Sequence, residues 1–469
     1  MKHIKAVALL LFISTFITAQ PVNDKLSTAL QKLTTDPTLK HAITSMYVVN
    51  SRTNEVVFDY NSQLGLAPAS CQKVLISIAA FDLLGTSYQY KTELGYDGFI
   101  KNGVLFGNLY IKGYGDPTLG SWRYTNTNDT STISLWLNEI SKTGIKKIEG
   151  NIVLDGSSFS IQPIPGGWPW EDMGNYYGAG CWGLNWYENQ YDLTFKPGLH
   201  EGDSTLIVST KPNLEVAALI NKVKTGKLGS GENANIYLSP YSITGFANGT
   251  IPPSDKNITI AGATPNPYYQ IDKALFNALN AKGISYKVIT NSFESIADGL
   301  KLGNADTIFY TYKSPTLDSI NYWFLKKSVN LYGEALVKTL GYSMSGEGVT
   351  EKGLNALKDF WEEKGIERSA LHLKDGSGLS PTNRITTNAL VNALQYARNR
   401  PWFASFYSAL PEYNGMKLKS GTIGGVKGFV GYHTSLTGTD YTLALIINNY
   451  DGASAEVVKK MYQVLDELK

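Results

Sequence analysis

Ser70 and Lys73 lie three residues apart at the head of the run SCQKVLISIAAFDLLG. A serine hydroxyl is a weak nucleophile at neutral pH and needs an adjacent base. A lysine serves as that base once burial and a neighbouring cation lower its pKa. At a helix start the two side chains share one face. A solvated helix start capped by Ser70 gives the same letters, so the pair needs partners before it carries a mechanism.

Two further groups supply candidate partners. Ser328-Val329-Asn330 falls in a helical stretch, where Ser328 can relay a proton and Asn330 can hold Lys73 and a substrate amide. An ordinary polar helix face is the competing reading. Lys419-Ser420-Gly421-Thr422 precedes the apolar alternation VKGFVGY. On a strand edge its backbone can pair with a peptide, and Gly421 leaves room for close approach. Lys419 can attract a carboxylate and depress the pKa of Lys73. The N–H groups of Ser70 and Thr422 are candidates for an oxyanion hole. Lys142-Thr143-Gly144 and Lys224-Thr225-Gly226 show similar letters, but each is expected to end an amphipathic helix, where a cation and a glycine are ordinary. Asp375 and Ser377 in DGSGLS form a second tier, because turn formers of this kind also build a plain loop at a cleft rim.

The surrounding elements must position these groups. TSMYVVNSRTNEVVFDYN reads as a hairpin, GLAPAS as a loop, and the Ser70 run as a helix stopped by Gly85. Strand-like segments dominate from about 92 to 267, with helices at TISLWLNEISKTG and LEVAALINKVKTG. The Pro-, Gly- and Trp-rich stretch 161–190 reads as a long ordered loop. IDKALFNALNAKGI reads as a helix, and from about 317 helices prevail, including LDSINYWFLKKSVNLYGEALVKTLG. Two strands and a terminal helix close the chain, mirroring the helix and two strands at its start. Both ends are therefore expected to build one α/β domain, interrupted by a strand-rich insertion.

Composition bounds the rest. The 469 residues suggest several domains, and 42 basic against 40 acidic side chains give a net charge of +2. No nucleic-acid partner is expected. Lys2 and Lys5 precede an apolar run from Ala6 to Ile17, with Ala19 at a cleavage edge. This is the layout of a secretory signal peptide over 1–19, and the run is short of the roughly 20 residues of a membrane span. The mature chain is expected to be exported, periplasmic or extracytoplasmic, with at most peripheral membrane association. Cys71 and Cys181 permit one bridge, but two buried free thiols are favoured. His41, His200, His372 and His433 show no metal-ligand spacing, and no Gly-x-Ser-x-Gly elbow occurs, so neither metal nor cofactor is expected.

Ser-x-x-Lys, Ser-x-Asn and Lys-Ser-Gly in this order resemble the penicillin-recognising serine acyltransferases. The 258 residues between Ser70 and Ser328, with GDPTL at 115–119, DGSGLS at 375–380 and PASCQKVL at 68–75, make the chain similar to the class C low-molecular-mass penicillin-binding proteins, the D-alanyl-D-alanine carboxypeptidase/endopeptidase family. The resemblance implies an α/β, penicillin-binding/β-lactamase-like catalytic domain, with an antiparallel sheet flanked by helices and a helical subdomain. Into it are set two nested, strand-rich domains. The corresponding ranges are 20–92 and 305–469 for the catalytic domain, 93–186 and 268–304 for the second, and 187–267 for the third. It implies acylation of Ser70 by a D-Ala-D-Ala peptide of peptidoglycan, with Lys73 as base and Ser328 and Asn330 assisting. Lys419, with Ser420 or Thr422, would hold the terminal carboxylate, and β-lactams would act as covalent inhibitors. Ser420 departs from the usual Thr but keeps the hydroxyl. Two rivals remain: a β-lactamase or esterase on the same scaffold, and a wall-binding or β-lactam-sensing module.

Overall fold

The computed structural model describes residues 21–214, 217–292 and 303–469. The expected leader lies outside them. Near both chain ends, alternating apolar residues form strands buried on both faces. Six antiparallel strands lie in the order Glu412–Tyr413, Met416–Ile423, Val426–Thr434, Asp440–Asn448, Ile43–Asn50, Val56–Tyr60. Met46 pairs with Leu445 and Val48 with Leu443, so the first and last parts of the chain share one sheet. On one face Met46, Val48, Leu443 and Leu445 pack with the helices Val22–Thr34 and Ser454–Leu465. On the other, Tyr47, Val49, Ala444 and Ile446 join a core built with helices Lys73–Leu84, Asn330–Ser345, Thr350–Glu363 and Thr387–Arg398. Period-two alternation thus sends successive side chains into two different cores.

The chain between these ends builds its own cores. A five-stranded sheet runs Ile289–Asn291, Ile152–Asp155, Leu109–Gly113, Lys91–Tyr96, Thr307–Lys313. Helices Asp129–Lys142 and Pro267–Ala281 contribute Trp136, Ile271 and Leu275 to its core. Two three-stranded sheets formed by residues 190–263 enclose a smaller core around Tyr191, Leu193, Phe195 and Ile236.

Two expectations need correction. LEVAALINKVKTG does not form a helix: Ala218–Thr225 is a strand, paired in parallel with Thr244–Ile251 along all eight residues. The segment also carries an alternation, and the buried Val223 and Thr225 point inward on it. Lys224-Thr225-Gly226 therefore ends a strand, whereas Lys142-Thr143-Gly144 does end a helix. The long helix from residue 317 is two helices, Leu317–Lys326 and Asn330–Ser345, broken where Ser328 adopts φ +58°. Cys71 and Cys181 are both buried free thiols.

Candidate active site

Ser70 lies in a 3₁₀ turn, Ala69–Gln72, that leads directly into the helix Lys73–Leu84. With three residues per turn, positions i and i+3 eclipse. Lys73 Nζ accordingly lies 2.7 Å from Ser70 Oγ. The preceding Ala69 has φ +46°, a left-handed conformation that costs an L-residue about 1–2 kcal/mol. Two glycines enclose this turn. A Cβ on Gly378, at φ +83°, would stand 2.0 Å from the Ala69 carbonyl oxygen, and one on Gly421 would stand 2.5 Å from that of Pro68 and 3.0 Å from the Ser70 nitrogen. Backbone from two distant segments therefore packs directly on the turn that carries the hydroxyl.

Lys73 is fully buried. Besides Ser70, its amine reaches Asn330 Oδ1 at 2.7 Å and the Ser377 carbonyl at 2.6 Å. Burial holds its pKa well below the ordinary lysine value; the nearby Lys419 charge adds to this, and Asp375 and Glu334 oppose it. In its neutral form the amine would give its two N–H bonds to Asn330 and Ser377 and turn its lone pair to the Ser70 hydroxyl. The Asn330 amide is oriented from its other end, since Nδ2 donates to the Tyr177 carbonyl at 2.7 Å. Asn330 opens its helix, so the break at Lys327–Val329 is what delivers it to the site.

Lys419 to Ile423 pair on one side with Val426–Val430. The short strand Glu412–Tyr413 covers only Met416 and Lys417, which leaves the other edge of this segment open. Lys419 is buried, its Nζ donates to the Ser420 carbonyl at 2.7 Å, and burial lowers its pKa to about 8. The half-buried Ser420 donates from Oγ to the Tyr413 hydroxyl at 3.1 Å. Thr422 instead lines the cleft. That cleft, of about 440 Å³, is bordered by Ser70, Ser328, Asn330, Gly378 and Thr422, and also by Arg123, Asp172, Tyr176 and Tyr177. His433 is not among its lining residues.

Asp375 and Ser377 are completely buried rather than at the rim. The Asp375 carboxylate accepts from Gly378 N at 2.8 Å, Ser380 N at 2.6 Å, Trp168 Nε1 at 2.9 Å, Asn383 Nδ2 at 3.0 Å and Gln72 Nε2 at 3.2 Å. It shapes the loop whose carbonyl at Ser377 meets Lys73. The Ser377 hydroxyl accepts from Leu379 N at 3.4 Å.

These motifs now have a common address, and comparison with known proteins gives it a lineage. A profile of the D-Ala-D-Ala carboxypeptidase 3 (S13) family matches residues 26–412. The chain belongs to that family. It is a serine-type carboxypeptidase. An S13 relative, the D-alanyl-D-alanine carboxypeptidase of Actinomadura sp. (strain R39), is 24% identical over 452 residues, covering 90% of this chain and 81% of its own. The D-alanyl-D-alanine carboxypeptidase DacB of Haemophilus influenzae is 23% identical over 427 residues, covering 87% and 85%. The crystal structure of penicillin binding protein 4 (dacB) from Haemophilus influenzae superposes with a TM-score of 0.79 at 22% identity, over 94% of this chain and 98% of that one. The S13 fold is therefore shared at low identity.

Several site residues of this S13 enzyme carry no local motif. Glu334 sits one turn beyond Asn330, fully buried, and both its oxygens accept from Gly376 N, at 3.1 and 3.0 Å. Burial, reinforced by Asp375, raises its pKa to about 8. Its i+4 spacing from Asn330 was the available signal. Trp168, Tyr177 and Arg123 come from the middle of the chain, and nothing in their neighbourhoods points to residue 70.

Proposed function

We propose that this S13 enzyme hydrolyses peptidoglycan stem peptides ending in D-Ala-D-Ala, as a carboxypeptidase, an endopeptidase or both, through an acyl-enzyme on Ser70. The observation that carries the assignment of Ser70 is the buried Lys73 amine, held between Ser70 Oγ and Asn330 Oδ1 at 2.7 Å from each. Lys73, whose pKa burial lowers, takes the Ser70 proton in its neutral form as Oγ attacks the penultimate D-Ala carbonyl carbon. The oxyanion that forms faces the N–H groups of Ser70 and Thr422. As the C–N bond breaks, the departing D-Ala nitrogen receives a proton by way of Lys73 and Ser328. Water then cleaves the ester and frees Ser70. Lys419 and Thr422 hold the terminal carboxylate, and the open edge of their strand supports pairing with an extended peptide. Ser420, on the same strand face as Thr422 and bonded to Tyr413, is the alternative hydroxyl for that carboxylate.

β-Lactams are proposed as covalent inhibitors of Ser70. A second structure of the Haemophilus influenzae protein is of a complex with a β-lactam. Separate cores in the middle of the chain support a nested organisation close to the ranges 20–92 with 305–469, 93–186 with 268–304, and 187–267, except that Thr307–Lys313 pairs with Lys91–Tyr96 in the inserted sheet, which moves the return to the catalytic domain beyond Lys313. Export rests on the leader-like residues 1–19; no helix among the described residues is long and apolar enough to cross a membrane.

Incubation of the purified mature chain with labelled penicillin, and separately with a peptide ending in D-Ala-D-Ala, tests the reading. A slowly released adduct on Ser70 and free D-Ala are expected. Absence of both overturns it. Rapid drug turnover without D-Ala release assigns the scaffold to a β-lactamase instead.

A further inference from the structure

We infer that Arg123 is a specificity residue of this cleft and selects peptides that carry a carboxylate on the acyl side of the cleaved bond. The inference rests on the D-Ala-D-Ala reading above.

Arg123 follows the strand Leu109–Gly113 and is held on three sides. Its Nε donates to Glu188 Oε1 at 2.8 Å and Oε2 at 3.0 Å. Glu188 is fully buried, and its Oε1 also accepts from Ser121 Oγ at 2.7 Å and the Tyr332 hydroxyl at 2.8 Å. The guanidinium carbon lies 5.4 Å from the ring centroids of both Trp122 and Trp323. The backbone that presents Glu188 is strained. Tyr187, Glu188 and Asn189 have φ of +52°, +50° and +52°, three consecutive left-handed residues without a glycine. Such strain persists where surroundings over-determine a conformation, and it concentrates at ligand sites.

This clamp engages Arg123 through Nε alone. Its two terminal nitrogens donate no hydrogen bond among the described residues, and the side chain keeps 18% exposure. Arg123, Tyr176 and Gln190 line both the cleft and an adjoining cavity of about 400 Å³, while Ser70 and Thr422 line the cleft only. Arg123 therefore stands on the border farther along from the strand edge. The exposed Lys327 borders the same cleft, and the acidic Asp172 there is hydrogen-bonded to Tyr177. A planar fork with free N–H groups matches a carboxylate with two oxygens, and a neutral amide supplies one acceptor only. With the terminal carboxylate at Lys419 and Thr422, an anion at Arg123 belongs to the acyl portion of the peptide.

The test uses the full mature chain and acetylated pentapeptides ending in D-Ala-D-Ala, with glutamate or glutamine at each of the three preceding positions in turn. At one position glutamate should be preferred over glutamine by about tenfold or more in kcat/KM, as expected for a charge-assisted contact. The double variant Arg123→Gln with Glu188→Gln, which leaves no lone buried anion, should bring that ratio to about one. A penicillin adduct on Ser70 in the variant confirms that it is folded. No glutamate preference at any position in the wild type, or a preference that survives in the double variant, overturns the inference. No D-Ala from any peptide together with no adduct overturns the underlying reading, which is a separate outcome.

Discussion

The Lys73 amine and the Ser70 hydroxyl oxygen stand 2.7 Å apart, and the lysine is completely sealed from solvent. Its other two hydrogen-bond partners are oxygen acceptors, at Asn330 and Ser377. Three oxygens around the amine satisfy either protonation state, and burial, which lowers its pKa, favours the uncharged form that accepts a proton.

Lys73→Ala should therefore lose acylation by about 10²–10⁴-fold, the range of a missing general base. The adduct formed with labelled penicillin, followed by mass spectrometry, measures this directly. Circular dichroism should show the variant folded. Unchanged acylation would remove Lys73 as the base.

The two lysines set opposite limbs of a pH profile. Lys73 must be neutral, and its pKa is lowered by burial and by Lys419, so kcat/KM rises as pH increases through that lowered value. Lys419 must be charged to hold a carboxylate, and burial lowers its pKa to about 8, so kcat/KM on a D-Ala-D-Ala peptide should fall as pH rises through about 8. The same peptide with its terminal carboxylate amidated should react more slowly and lack the alkaline limb. A shared alkaline limb would separate Lys419 from carboxylate binding.

Gly421→Ala places a methyl group 2.5 Å from the Pro68 carbonyl oxygen and 3.0 Å from the Ser70 nitrogen. The strand must back away from the nucleophile. Displacement of about 1 Å costs on the order of 10²-fold in rate, so penicillin acylation should slow by about that factor. Stopped-flow measurement of adduct formation checks it, and a wild-type rate would show that the strand edge does not set the geometry.

The Asp375 loop should respond in graded fashion. Trp168→Phe removes one of five donors to this buried carboxylate, a loss of about 1.5–3 kcal/mol for a hydrogen bond to a charged group. Asp375→Ala strands all five and should destabilise the protein by more, with slower acylation because the Ser377 carbonyl shifts. Thermal unfolding and adduct rates, measured side by side, order the two variants. Equal, small effects would mean that the loop is held by its backbone alone.

The sequence carried the site's chemistry further than its geometry. Ser70, Lys73, Asn330, Lys419 and Thr422 could be named because each sits in a short motif with a local physical logic. The hairpin near residue 50 and the terminal strands were readable from alternation, and their union into one sheet from the mirrored order of elements. The strand Ala218–Thr225 was not, since its apolar spacing satisfies a helix as well as a strand, and pairing with Thr244–Ile251 decided between them. Ser420 and Thr422 are two apart and share a strand face, so spacing did not separate them; Thr422 lines the cleft, while the Ser420 hydroxyl is bonded to Tyr413. Trp168, Tyr177, Arg123 and Glu188 were illegible for a different reason. Tertiary packing of the inserted chain brings Tyr177 and Arg123 to the cleft and sets Trp168 and Glu188 behind it, bonded to Asp375 and Arg123, and no spacing along the sequence encodes that encounter.

Next to the nucleophile stands Cys71, whose sulfur is 3.6 Å from the Lys419 carbonyl oxygen on the far side of the turn. Burial lifts its thiol pKa to about 12. The thiolate that electrophiles and peroxides attack is thus scarce and walled off at physiological pH. Here the more reactive element lies one residue away from the catalytic oxygen, yet it is chemically silent, so the turn offers an incoming acyl group a single atom to bond.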